Sequence, residues 1–537
     1  MTRVKIGLLF AVLALLTTSV QAGYTYKLTT GVGYYDDAAN WGNPTSFGTD
    51  FSVTGDLRLI ATNNHAYTSK TLGQFILKDS SWLQVQSGAT VVVGGSGNGL
   101  FAGFTANRTS GATFEAGSVF KGTMHLGRKE SSCGIVTNYA TWSSTDVCYI
   151  GDKPGSTGIY VHVAGTHTSS ASTSLWVGNE GRGELLVQGG TYGWANNENY
   201  AFVYIGNSSA GGLVRVESGA AFIAGYNVYL GGYAADKVGC GELILNGGNY
   251  TNSCDNGTYH KMIVHLGVAP DGAGGISPNS WGAIRGWGAF AGDSMYTRAT
   301  RSICAELGYG VIEADGGGDE SHVLSCGNGL YMVSNALPVS VVTESGWRAK
   351  NKGAVCFPGY QLYASGSVAV LEGCVGCATS LAKPDLVNSV RVRIERDTGS
   401  SDWCAGVMLL DSGRTDAHVD KLPTGCNVLN VHRIGTFKSA MEWTDAQKFT
   451  SAMHPATFDF RYDQTKILRD DTQLELWRYS ESAGKWTRLS KLAPGARPSD
   501  CVISTPSGVS PQYDETFNYG TFAVVERPTK GLILVVR

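Results

Sequence analysis

Charged residues make up only 16% of this 537-residue chain, and they nearly cancel, to a net charge of -3. A globular protein usually devotes about a quarter of its residues to charge. Nucleic acid and anionic membrane surfaces both need a basic face, and the net charge argues against either as a partner. Long apolar runs are missing as well. After the first 22 residues no stretch is long and apolar enough to span a bilayer, so no integral membrane segment is expected. The 10 histidines are scattered, and neither His-x-x-x-His nor Gly-x-Ser-x-Gly occurs, which leaves no helical zinc pair and no nucleophile elbow. The glycine runs are not followed by helical patterns, which argues against nucleotide-binding loops. No cofactor is expected.

Glycine is what the chain has in plenty, 72 residues of 537, nearly twice the usual share. With 42% hydrophobic residues the chain is too apolar for disorder. The first 22 residues carry Arg3 and Lys5, then the apolar stretch Ile6 to Leu16, then compact residues at Val20-Gln21-Ala22. That order reads as a signal peptide cleaved near Ala22, with a secreted or cell-surface protein as the product. The 12 cysteines permit full pairing in an oxidising compartment, so disulfide staples are expected.

Two half-motifs alternate along the chain. The first runs apolar-x-apolar into a glycine and then a small residue. Examples are Leu83-Gln-Val85-Gln-Ser-Gly88, Leu185-Leu-Val187-Gln-Gly-Gly190-Thr-Tyr192, Val214-Arg-Val216-Glu-Ser-Gly219 and Leu243-Ile-Leu245-Asn-Gly-Gly248. The second is apolar-x-apolar-Gly: Leu175-Trp-Val177-Gly178, Val203-Tyr-Ile205-Gly206, Val228-Tyr-Leu230-Gly231. Equivalent glycines recur every 24 to 29 residues, from Gly127 to Gly151 at the short end and Gly88 to Gly117 at the long end. Alternation of period two makes each half-motif a strand with one buried face, and the glycines supply tight corners. A single such coil cannot bury its own apolar side, so the coils must stack. The expected fold is all-β: a parallel β-solenoid (β-helix), a β-rich linker region and a C-terminal β-sandwich. The expected domains are a signal peptide over 1–22, the solenoid over 23–345, a β-rich continuation over 346–453 and a sandwich over 454–537. Strand candidates for the sandwich are Thr457–Tyr462, Leu474–Tyr479, Trp486–Leu489, Cys501–Ile503, Tyr519–Val525 and Leu532–Val536, and Thr444–Ala452 is the one helix candidate.

The Leu-x-Val-x-Gly-Gly-Thr and Val-x-Ile-Gly-Asn forms between about 80 and 270 resemble the passenger repeats of secreted bacterial autotransporter-like surface proteins. The resemblance implies a β-solenoid that projects from a cell surface as an adhesin. It stops at the C-terminus, where the outer-membrane barrel of autotransporters has no counterpart after His454.

Candidate chemistry is thin. β-Helical polysaccharide lyases and hydrolases gather carboxylates on one strand face in successive coils, where a spacing of about 5 to 9 Å does acid–base work. The repeats from 105 to 250 contain only Asp146, Asp152 and Asp236, each beside a turn, and the recurring Glu184, Glu217 and Glu242 read as outward, solvated residues. Asp315, Asp319 and Glu320 around a Gly-Gly-Gly turn are calcium candidates. Cys374-Val-Gly-Cys377 lacks the second pair a zinc site needs. Trp142, Trp176, Trp194, Tyr204 and Tyr229 recur in the coils and are candidates for stacking on sugar rings. The expectation is a secreted or cell-surface structural or adhesive protein with no catalytic residue. The alternatives are a polysaccharide lyase or glycoside hydrolase, or a non-catalytic glycan-binding protein. The partner expected is an extracellular polysaccharide or a surface protein of a host or neighbouring cell.

Overall fold

In a computed structural model the chain is described from Tyr24 to Pro528 with interruptions, the longest at 42–50, 63–70, 253–263, 267–279, 293–302, 332–345, 376–387 and 438–452. The signal-peptide stretch 1–22, the helix candidate at 444–452 and the strand candidate at 532–536 lie outside the described residues.

The repeats wind into a parallel β-solenoid with three strands per coil. One coil reads Cys148–Ile150 on face I, Thr157–His162 on face II and Thr166–Ser169 on face III. The next coil places Leu175–Val177, Arg182–Val187 and Gly190–Trp194 directly on them, with Tyr149 opposite Trp176, Tyr160 opposite Leu185 and His167 opposite Tyr192. Face I is a ten-stranded parallel sheet among the described residues. Face II stacks without a break from Thr30–Tyr34 to Gly346–Lys350. Each strand thus satisfies its backbone groups through the coil before it and the coil after it.

Corner glycines do what the spacing requires. Gly206 has φ 74° and lies against the next coil, so a Cβ there would collide with the Cys240 carbonyl. Inside, face I contributes Met124/Leu126, Cys148/Ile150, Leu175/Val177 and Val203/Ile205, all buried. Face III contributes an aromatic row, Phe120, Trp142, His167, Tyr192, Phe222, Tyr250 and Phe290, one residue per coil. Neighbouring rings along it lie 4.1 to 5.8 Å apart.

The solenoid passes position 345. Gly346–Lys350 and Ala354–Phe357 still pair in parallel with the strands before them. Ala354–Phe357 then pairs antiparallel with Trp403–Leu410 on its other edge. From there the chain folds into two antiparallel sheets. One joins Val370–Val375, Val390–Glu395, Thr457–Arg461 and Val502–Ser504. The other joins Trp403–Leu410, Asn427–Phe437, Gly520–Arg527, Gln473–Ser480 and Lys485–Lys491. The sandwich therefore draws strands from both sides of residue 454, where the sequence suggested a boundary. The reason lies in Val390, Val392 and Ile394, which are fully buried and share a core with Phe458 and Phe460 from the far side of that boundary. A strand solvated on one face only needs a partner layer for the other.

The expected disulfides are not formed by the cysteines whose side chains are described: Cys133, Cys148, Cys240, Cys426 and Cys501 are free thiols. No helix among the described residues is long and apolar enough to cross a membrane.

Candidate functional site: an outer aromatic ladder on face I

The middle residue of each face I strand points outward, because its two neighbours point in. Register aligns these residues into one row: Ile76, Phe101, His125, Tyr149, Trp176, Tyr204 and Tyr229. The rings stack face to face along the solenoid axis. Phe101 and His125 are 4.6 Å apart at 12°, Trp176 and Tyr204 3.8 Å at 21°, and Tyr204 and Tyr229 5.3 Å at 11°. The spacing is set by the backbone, since adjacent strands lie about 4.8 Å apart and flat rings fill that gap.

The five sugar-stacking candidates divide between two environments. Trp142 belongs to the inner ladder and donates its Nε1–H to the Gly122 carbonyl at 2.9 Å. Trp194 is also buried, donating to the Thr173 carbonyl at 3.1 Å. Neither can meet a ligand, and both are corrected to core residues. Trp176, Tyr204 and Tyr229 do line up on the outside. Their faces, however, are covered by one another, and Tyr204 and Tyr229 are only 6% and 4% exposed. Stacking on a sugar needs an open ring face, whereas this ladder presents ring edges. Tyr149 and Trp176 are its half-buried members.

Beside the ladder lies a polar row that sequence reasoning passed over. The residue after each face I glycine forms it: Arg128, Asp152, Asn179 and Asn207. Arg128 donates to Asp152 Oδ2, Asn179 Nδ2 to Asp152 Oδ1 at 3.3 Å, and Asn207 Nδ2 to Asn179 Oδ1 at 3.3 Å. His125 Nδ1 lies 3.7 Å from Asp152 Oδ2, and the Arg128 guanidinium sits over the Phe101 ring at 5.7 Å. Burial pushes the Asp152 carboxyl up, but the hydrogen bonds and charges of His125 and Arg128 outweigh it and bring it down to about 2. The signal for this row is present in the Ile-Gly-x half of the repeat, where a polar residue follows the glycine at Arg128, Asp152, Asn179 and Asn207. Asp152 is an ion-paired corner, and among the described residues no second carboxylate shares it.

The other candidates do not converge. Glu184 and Glu242 occupy one outward row of face II, but Leu213 of the coil between them separates them, and Glu217 lies elsewhere, held by Asn246 Nδ2 at 2.5 Å. Asp315 pairs with Lys350 at 3.4 Å and accepts from Asn351 at 2.9 Å. Asp319 caps Ser321 N at 2.8 Å, and Glu320 reaches Thr415 N at 2.9 Å. The three calcium candidates thus turn to three different partners, and among the described residues no group of three or more His, Cys, Asp or Glu side chains gathers as a metal site. Cys374 begins the CxxC spacing within Val370–Val375, and Cys377 lies outside the described residues.

No protein-family model, no curated protein and no solved structure matches this chain.

Proposed function

We propose that this chain is a structural and adhesive β-solenoid working outside the cytoplasm, a rod that holds out a terminal β-sandwich. The observation that carries this reading is the unbroken hydrogen bonding from rod to tip. The same sheet that stacks the coils continues through Ala354–Phe357 into Trp403–Leu410 of the sandwich. A pull on the sandwich is therefore borne by a ladder of backbone hydrogen bonds, the arrangement a display or anchoring element needs. The leader-like Arg3, Lys5 and Ile6 to Leu16 support an exported setting.

The test is incubation of the purified chain with a panel of polysaccharides, with retention and release of new chain ends followed together. The proposal predicts no cleavage of any member. Cleavage, lost on substituting a carboxylate of the solenoid surface, would replace it with the lyase or hydrolase reading. Retention of one polysaccharide that Trp176→Ala abolishes would make the half-buried stretch of the outer ladder the adhesive contact.

A further inference from the structure

The interior of a solenoid is normally apolar, but one level of this one is not. Asn138, Ser144, Cys148, Tyr160, His162 and His167 all point inward between the two coils that run from Cys133 to Ser169, and all are fully or almost fully buried. They connect the three faces. Cys148 Sγ on face I donates to Ser144 Oγ at 3.3 Å, and Ser144 Oγ lies 2.8 Å from His167 Nε2 on face III. His167 Nδ1 lies 2.9 Å from the Tyr160 hydroxyl on face II. The other ring, His162, sits 3.1 Å from Asn138 Nδ2 through Nδ1 and 3.3 Å from the Gly165 carbonyl through Nε2. Above and below, His167 is sandwiched between Trp142 at 5.4 Å and Tyr192 at 4.2 Å.

A neutral imidazole suits these surroundings, donating through one nitrogen and accepting through the other. A protonated one does not. Among the described residues the titratable groups that face the two rings are themselves neutral: burial pushes the Cys148 thiol and the Tyr160 and Tyr192 hydroxyls up. Asp146, at the turn before Cys148, acts on that thiol, and among the described residues no carboxylate bonds to either ring. His125 has different surroundings: its Nδ1 lies 3.7 Å from the Asp152 carboxylate.

We propose that this buried polar layer is an acid-operated breakpoint, at which the solenoid opens locally while the coils further along stay wound. Protonation of His162 and His167 puts two uncompensated charges into the core, and the coils from Cys133 to Trp194 separate to hydrate them. Burial holds His162 down to about 4 and holds His167 well below an ordinary imidazole. Below an ordinary histidine's range the open form therefore binds more protons than the closed one, and opening becomes easier as pH falls.

The experiment is amide hydrogen exchange on the full chain at pH 7.5 and pH 5.0, corrected for the intrinsic rate of each amide. His162 alone raises the open population about thirty-fold at pH 5.0 if its pKa rises from about 4 to about 6.5 on opening. Peptides within 133–194 should therefore lose at least about thirty-fold in protection, and those within 212–245 far less. The double variant His162→Asn, His167→Gln should exchange alike at both pH values. Protection over 133–194 that is unchanged in the native chain at pH 5.0 overturns the proposal without any variant. So does an acid response that survives in a folded double variant.

Discussion

At the scale of single residues, the corner glycines and Asp152 make the sharpest tests. Gly206 and Gly219 both have positive φ, 74° and 80°, but a Cβ on Gly206 meets the Cys240 carbonyl while one on Gly219 meets nothing within 4 Å. Gly219→Ala should cost about 1 kcal/mol, the conformational strain alone, whereas Gly206→Ala should cost more than about 2 kcal/mol, because the next coil must move. Urea denaturation of the two variants measures the difference, and equal midpoints would contradict the stacking geometry. Asp152 tests the polar corner. Its folded-state pKa of about 2 lies below the ordinary 3.8, so its stabilisation is present above about pH 4 and disappears as pH falls towards 2. The loss is at most roughly 2 kcal/mol, and Asp152→Asn should remove this part of the acid transition while leaving neutral-pH folding intact. An acid profile identical to that of the native chain would refute the pairing with Arg128.

At the scale of elements, the two aromatic ladders separate what could be read in the sequence from what could not. Strand positions and corners were legible, because alternation and glycine spacing are local signals. The first half-motif, however, spans two strands, as Leu185 to Tyr192 runs from Arg182–Val187 into Gly190–Trp194, so each coil has three strands where two half-motifs suggested two. Which way a ring points was legible only in part. Trp176, between Leu175 and Val177, must face out on alternation alone. Trp142 sits in a degenerate copy, Val136-Thr-Asn-Tyr-Ala140-Thr-Trp142, where Thr141 and Ser143 beside it give the phase only weakly. The buried polar layer was illegible for a related reason. His162 and His167 occupy inward positions that Val187 and Tyr192 fill one coil later, and only the stack reveals what they touch. The ladders predict opposite behaviour for their tryptophans. Trp142→Ala should cost about 3 to 5 kcal/mol, as a large ring lost from a packed core does, and Trp176→Ala clearly less. Acrylamide quenching, compared between the native chain and each variant, should show that Trp176 emission is quenched readily and that of Trp142 and Trp194 barely. Equal quenching of all three would dissolve the distinction between inside and outside.

At the scale of the whole molecule, the sandwich is where sequence reading fell shortest. Its strands alternate cleanly from Val390 onward, but pairing between Val390–Glu395 and Thr457–Arg461 joins segments more than sixty residues apart, and period-two patterning carries no information about such partners. The join at Ala354–Phe357 was invisible for the same reason. That join is what turns a rod and a domain into one hydrogen-bonded body, and the proposed role rests on it. The direct measurement is amide hydrogen exchange at neutral pH across Ala354–Phe357 and Trp403–Leu410, compared with Thr157–His162 in the middle of the rod. If one sheet runs through the junction, its amides exchange as slowly as those of the rod. Fast exchange at the junction, with rod and sandwich both protected, would show two bodies on a hinge and would contradict the account.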